Sequence, residues 1–298
     1  MPIIRNPAEW IAEQFGIAAN QFGHSAYADN MRRARRWAKP PVIYRIGMAD
    51  LWIALHKGVQ DFGALRTDVI FLCLGFPVLG LVLARFAVGA GLIQLVFPLA
   101  SGFALIGPIA ALGLYEMSRR REQTGEAKWS DAFRVLRAPS LGAMTILILV
   151  LLALFALWIA TAQLIYTLTL GPELPASNAA FFHDVFTTGA GWAMIAIGIG
   201  VGAVFAMVSL TIGVLSFPLM LERNVRLTTA VQTSLRAVAK NPGPMALWGL
   251  IVAGGLVIGS LPALLGLVIV FPVLGHATWH LYRQVVLPHP ESGDSSGV

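Results

Sequence analysis

Four long stretches of this chain contain no Asp, Glu, Lys or Arg: Phe86–Tyr115, Ala138–Pro172, Val185–Leu221 and Asn241–Tyr282. A helix needs roughly 17–25 apolar residues to cross the hydrocarbon core of a bilayer, and each stretch holds at least that many. The cations gather between them. Of 21 Lys and Arg, nine stand at or before Arg66, six between Arg119 and Arg137, and four between Arg223 and Lys240. Arg283 follows the last stretch, and Arg85 alone falls elsewhere. Cations confined to alternate loops predict a multi-pass membrane protein with both termini on the cytoplasmic side.

Composition removes the competing classes. Hydrophobic residues make up 57% of the chain and charged residues 12%, about half the charge of an ordinary soluble domain. The net charge of +6 resides in the basic loops, so it calls for no nucleic-acid partner. The single Cys73 falls inside an expected span, which excludes an intramolecular disulfide and a cysteine metal cage. Arg5, Glu9 and Glu13 interrupt the first 40 residues, so no signal-peptide apolar core is expected there.

Hydropathy and turn residues predict an all-α polytopic membrane protein with six transmembrane helices. The expected spans are Val69–Val88, Leu92–Met117, Leu141–Thr167, Trp192–Leu221, Met245–Ile258 and Ala263–Tyr282, the last two separated by a tight turn at Gly259–Pro262. Amphipathic stretches at Met48–Leu65, Trp129–Arg137 and Leu227–Lys240 each precede two spans. Their expected apolar faces are Leu51, Ile53, Ala54, Leu55, Val59 and Phe62 in the first, and Ala230, Val231, Leu235 and Val238 in the third. The chain thus reads as three hairpin units, each preceded by an amphipathic interfacial helix. Phe181, Phe182, Val185 and Phe186 predict a further short helix on the outer interface. The expected domains are an N-terminal amphipathic and basic arm (1–41), the membrane domain (42–286) and a short disordered tail (287–298).

Several blocks carry a resemblance. They are the segments 107–120 (GPIAALGLYEMSRR), 184–188 (DVFTT), 216–223 (SFPLMLER), 233–250 (TSLRAVAKNPGPMALWGL) and 272–283 (PVLGHATWHLYR). Together they resemble a bacterial family of predicted integral membrane proteins, domain of unknown function 2189, over roughly 42–286. The resemblance implies a six-span bacterial inner-membrane protein and transfers no activity.

His276 and His280 stand four apart, on one face of the last span. Glu116 and His280 each fall eight residues after a helix proline, and Glu222 and His276 each fall four after one. Packed around a common axis, these four would form a polar ring at the cytoplasmic mouth and a possible divalent-metal site. Haem is less suitable, because two histidines on one helix face cannot grip both faces of one ring. The local alternative pairs Glu116 with Arg119 or Arg120 and Glu222 with Arg226, and leaves the histidines hydrogen-bonded at the interface. Pro108, Pro218 and Pro272 are expected helix kinks. Gly198/Gly202, Ser209/Gly213 and Gly255/Gly259 are pairs of small residues suited to close helix contact, within the chain or between copies. In the arm, Arg32, Arg33, Arg35, Arg36 and Lys39 with Trp37 predict attachment to anionic membrane lipids. No phosphate loop, dinucleotide fingerprint, nucleophile elbow or zincin helix is present, so the chain is expected not to be an enzyme. The expected role is an accessory or structural component packing against another membrane complex or itself. The alternative is a small-solute channel or carrier.

Overall fold

The computed structural model describes residues 41–286, except the side chains of Phe103 and Ala104. The lipid-binding residues expected in the arm, and the tail expected to be disordered, lie outside the described residues.

Every named element is helical. Helices α1 (Met48–Cys73) and α2 (Gly75–Gly89) are joined through Leu74 in helical conformation. The 3-10 turn Ile93–Leu95 leads into α3 (Val96–Ala110) and α4 (Leu112–Thr124). A 3-10 helix, Trp129–Arg137, then precedes α5 (Leu141–Thr169), α6 (Asn178–Thr187) and α7 (Gly189–Gly213). The chain continues through α8 (Ser216–Arg223), α9 (Leu227–Lys240), α10 (Pro242–Ser260) and α11 (Leu267–Val285).

Four segments are long and apolar enough to cross a membrane: Met48–Gly89, Leu141–Thr169, Gly189–Arg223 and Pro242–Ser260. They contain four of the six expected spans. The second expected span is divided at Ala111 between α3 and α4. The sixth corresponds to α11, whose second half carries His276, His280 and Arg283.

Two prolines coincide with helix interruptions for one physical reason. A proline lacks the N–H that would bond the carbonyl four residues earlier. Pro218 frees the Val214 carbonyl, and the chain breaks at Val214–Leu215 between α7 and α8. Pro77 does the same for Cys73, at the α1–α2 junction. Pro108 lies just before the break at Ala111, whereas Pro272 lies within an unbroken helix.

The first amphipathic stretch is not a separate interfacial helix. It is the beginning of α1, which runs on into the first span and packs antiparallel against α11, its most extensive partner. Its buried series is Leu51, Ala54, Gly58, Asp61, Leu65, Val69 and Cys73. Ile53 and Val59, of the expected apolar face, are 46% and 52% exposed. In the third stretch, α9 buries Ala230, Thr233, Ser234 and Ala237 and exposes Leu235 of the expected apolar face. The second stretch is 3-10 rather than α-helical.

α1 and α11 approach closely at Gly58, where an added Cβ would lie 2.6 Å from the Ala277 Cβ and 2.7 Å from the Val273 carbonyl. Around this crossing the main core gathers Leu51, Leu114, Met117, Phe217, Trp248, Trp279 and Tyr282, all essentially without exposure. Two smaller clusters lie elsewhere: Ile93, Tyr166, Phe181 and Val185, and Leu105, Trp158 and Ala162. In α6, Phe182 and Phe186 are exposed and stacked. The turn after α10 is longer than expected, spanning 261–266, with Ala263 and Leu264 at positive φ.

Four glycines of the small-residue pairs meet neighbours within the chain: Gly202 faces Trp158, Gly213 Pro108, Gly255 Leu274, and Gly259 Leu267. Ser209 donates to the Leu105 carbonyl. Gly198 opens onto free space.

Candidate functional site

The core crossing brings a polar chain together from α1, α4 and α11. Asp61 is buried on α1, Ser118 on α4, and His276 and His280 on α11. Ser118 Oγ donates to Asp61 Oδ2 at 2.7 Å and lies 2.7 Å from His276 Nδ1. A hydroxyl has one proton to give. Once Ser118 donates it to Asp61, the Nδ1–H of His276 donates to the hydroxyl oxygen. His280 Nε2 meets the same Asp61 Oδ2 at 2.8 Å, and Arg121 pairs with Asp61 Oδ1. Asp61 therefore accepts from three side chains on two other helices. His276 Nε2 is left buried, with no hydrogen-bond partner among the described residues.

The two expected glutamates are held separately. Arg119 grips Glu116 with Nε at 2.7 Å and Nη2 at 2.8 Å, a bidentate pair. That contact raises the Arg119 pKa above its ordinary value, against the opposing effect of burial. Arg134 of the 3-10 helix stands 3.8 Å from the same carboxylate. Glu222 accepts from the Tyr282 hydroxyl and from Arg283 Nη1, both on α11, and lies 3.5 Å from Arg223. Arg283 and Trp279 also donate to Glu122, each at 3.2 Å. The local Glu116–Arg119 pair read from the sequence is present, and Tyr282 and Arg283 join Glu222 to α11.

The four-residue ring is thus resolved into three carboxylate-centred groups. The histidines' partners are Asp61 and Ser118. Among the described residues, no group of three or more His, Cys, Asp or Glu is placed to hold a metal ion. Asp61 and Glu116 are each already paired with a guanidinium, that of Arg121 and that of Arg119. What the arrangement can do is lock α1, α4, α8 and α11 together, and hold a proton on an imidazole–hydroxyl–carboxylate chain.

Asp61, Ser118, Arg121, Tyr282 and Arg283 were not among the expected site residues. Asp61 had a legible signal. It stands at a core position of the 51–54–58–61–65 series, where a charge is costly unless paired. The hydroxyls and arginines had none, because their partners are supplied by distant parts of the chain.

Residues 96–222 match the family described as predicted integral membrane protein, domain of unknown function 2189. The sequence resemblance holds over that segment. The blocks at 107–120 and 184–188, and 216–223 as far as Glu222, fall in it, while those at 233–250 and 272–283 lie beyond it. No curated protein and no solved structure matches the chain. The protein is accordingly an integral membrane protein with several apolar helices, and Asp61, His276 and His280 lie outside the matched segment.

Proposed function

We propose that the chain crosses the bacterial inner membrane six times, with both ends cytoplasmic. In this reading it serves as a non-catalytic accessory component packing against a larger membrane complex. The observation carrying the reading is the outward face of α7. In Gly189–Arg223 only 6% of the apolar window is buried, against 22% in Met48–Gly89 and in Leu141–Thr169. Ala193, Ala196, Gly200 and Ala203 are all exposed there, spaced three, four and three apart, and an added Cβ at Gly200 would meet nothing. Such spacing aligns small residues in one stripe where a second helix can approach closely. The mutually satisfied charges around α11 favour a rigid support over a site that exchanges solutes.

A photo-reactive amino acid at Ala203, activated in intact cells, tests the reading. A discrete protein adduct at Ala203, weakened by Gly200→Leu and absent with the probe at the exposed Leu149 of α5, is expected. Adducts with lipid alone at Ala203 would refute it.

A carrier remains the second reading because of one feature, the buried His276 with its unpartnered Nε2 beside Asp61. Ionisable groups at such depth are often proton relays. Proteoliposomes holding a pH-sensitive dye would reveal proton movement abolished by His276→Ala. An identical trace with protein-free vesicles would remove this alternative.

A further inference from the structure

We propose that the 3-10 helix Trp129–Arg137, together with Phe71 of α1, forms a binding site for the headgroup and upper acyl chains of an anionic phospholipid. A 3-10 helix repeats every three residues, so its side chains fall into three rows. One row is Ala132, Val135 and Ala138, buried or half-buried against the protein. Its seat is close: an added Cβ on Gly113 of α4 would lie 2.9 Å from the Ala132 Cβ. The second row is Phe133, Leu136 and Pro139, and all three are exposed, Phe133 by 50% and Leu136 by 64%. The third row is Asp131, Arg134 and Arg137. The element therefore presents an apolar edge beside a charged edge, with its third side fastened to the bundle.

Aromatic rings extend the apolar edge onto the first span. Trp129 meets Phe133 edge-on at 6.0 Å and Phe71 edge-on at 5.8 Å. Phe71 is 69% exposed, and the exposed residues Ile70, Leu74 and Val78 continue its helix surface. That continuity with a span's outer surface favours lipid as the occupant over a soluble partner. Tryptophan and phenylalanine beside cations suit the boundary between acyl chains and headgroups.

The charge of the site selects the headgroup. Lys128 and Arg137 are both exposed at the two ends of the 3-10 helix. The Lys128 backbone N–H donates to Asp131 at 2.9 Å, and Arg134 lies 3.7 Å from Asp131 and 3.8 Å from Glu116. Asp131 is thus engaged by Arg134 and the backbone, and Glu116 by Arg119, so the exposed cations Lys128 and Arg137 can face a phosphate. Neither residue belongs to the basic arm expected to bind lipid through Arg32–Lys39. It does not depend on the accessory role.

Native mass spectrometry of the delipidated full chain, titrated with phosphatidylglycerol or phosphatidylcholine, measures the binding. Preference for phosphatidylglycerol is expected, together with a loss of about tenfold or more in the Lys128→Gln, Arg137→Gln double variant. The arm is unchanged in that variant, so the difference between the two chains reports binding at the 3-10 helix. Both replaced side chains are exposed, and an unchanged melting midpoint in lipid-free detergent verifies folding. Phe133→Ser with Leu136→Ser should weaken both lipids together. Equal binding of the two lipids by the unaltered chain, or undiminished phosphatidylglycerol binding by the charge variant, overturns the proposal.

Discussion

Asp61 shows how one residue can organise an interior. Its two oxygens accept from Ser118, His280 and Arg121, which come from α4 and α11. Asp61→Ala leaves three buried or half-buried donors without an acceptor, and breaking a buried ionic group in this way costs about 3–5 kcal/mol. The melting midpoint in detergent should fall markedly for Asp61→Ala and less for Asp61→Asn, which keeps one acceptor oxygen. Unchanged melting of the alanine variant would show that the network adds nothing to stability. The shared face of His276 and His280 was legible from their spacing alone. Their partner was not, because Asp61 and His280 are 219 residues apart and only the α1–α11 crossing joins them.

At the scale of elements, the same crossing depends on the absence of a side chain at Gly58. A leucine there would meet backbone as well as side chain on α11, so the helices must separate, and overpacking of this kind typically costs about 1–3 kcal/mol. Gly58→Leu should lower the melting midpoint, whereas Gly200→Leu on α7, which opens onto free space, should leave it close to that of the unaltered chain. Equal effects would show that α1 and α11 adapt without strain. The packed side of α1 could not be read from the sequence, for a physical reason. Its outward side also carries Trp52, Ile53 and Val59, all exposed. When both sides of a helix are apolar, hydrophobic spacing cannot say which side packs against protein and which meets lipid.

For the whole molecule, the proposed sidedness is open to direct test. The native Cys73 is fully buried, so introduced cysteines can be labelled over a low background. Ala176→Cys, in the exposed segment before α6, should react with an impermeant maleimide applied to spheroplasts, and Gln123→Cys, at the end of α4, should react only after permeabilisation. The opposite pattern would invert the proposed topology. Ala176 is the better choice over its neighbour Ser177, whose hydroxyl caps α6 by accepting the Ala180 N–H at 3.1 Å.

Helical class and membrane character were determined by the sequence itself, since both are local consequences. A long uncharged run placed in hydrocarbon must satisfy its own backbone hydrogen bonds, and the helix does so within one segment. The cation distribution was equally local and needed no contact between segments. Tertiary structure alone decided that the first amphipathic stretch belongs to a long helix running into the first span, that Glu222 meets Tyr282 and Arg283, and that the histidines meet Asp61. Those pairings depend on which helices lie side by side, and that choice follows from close packing at positions such as Gly58, where spacing along the chain carries no information about the partner across the gap.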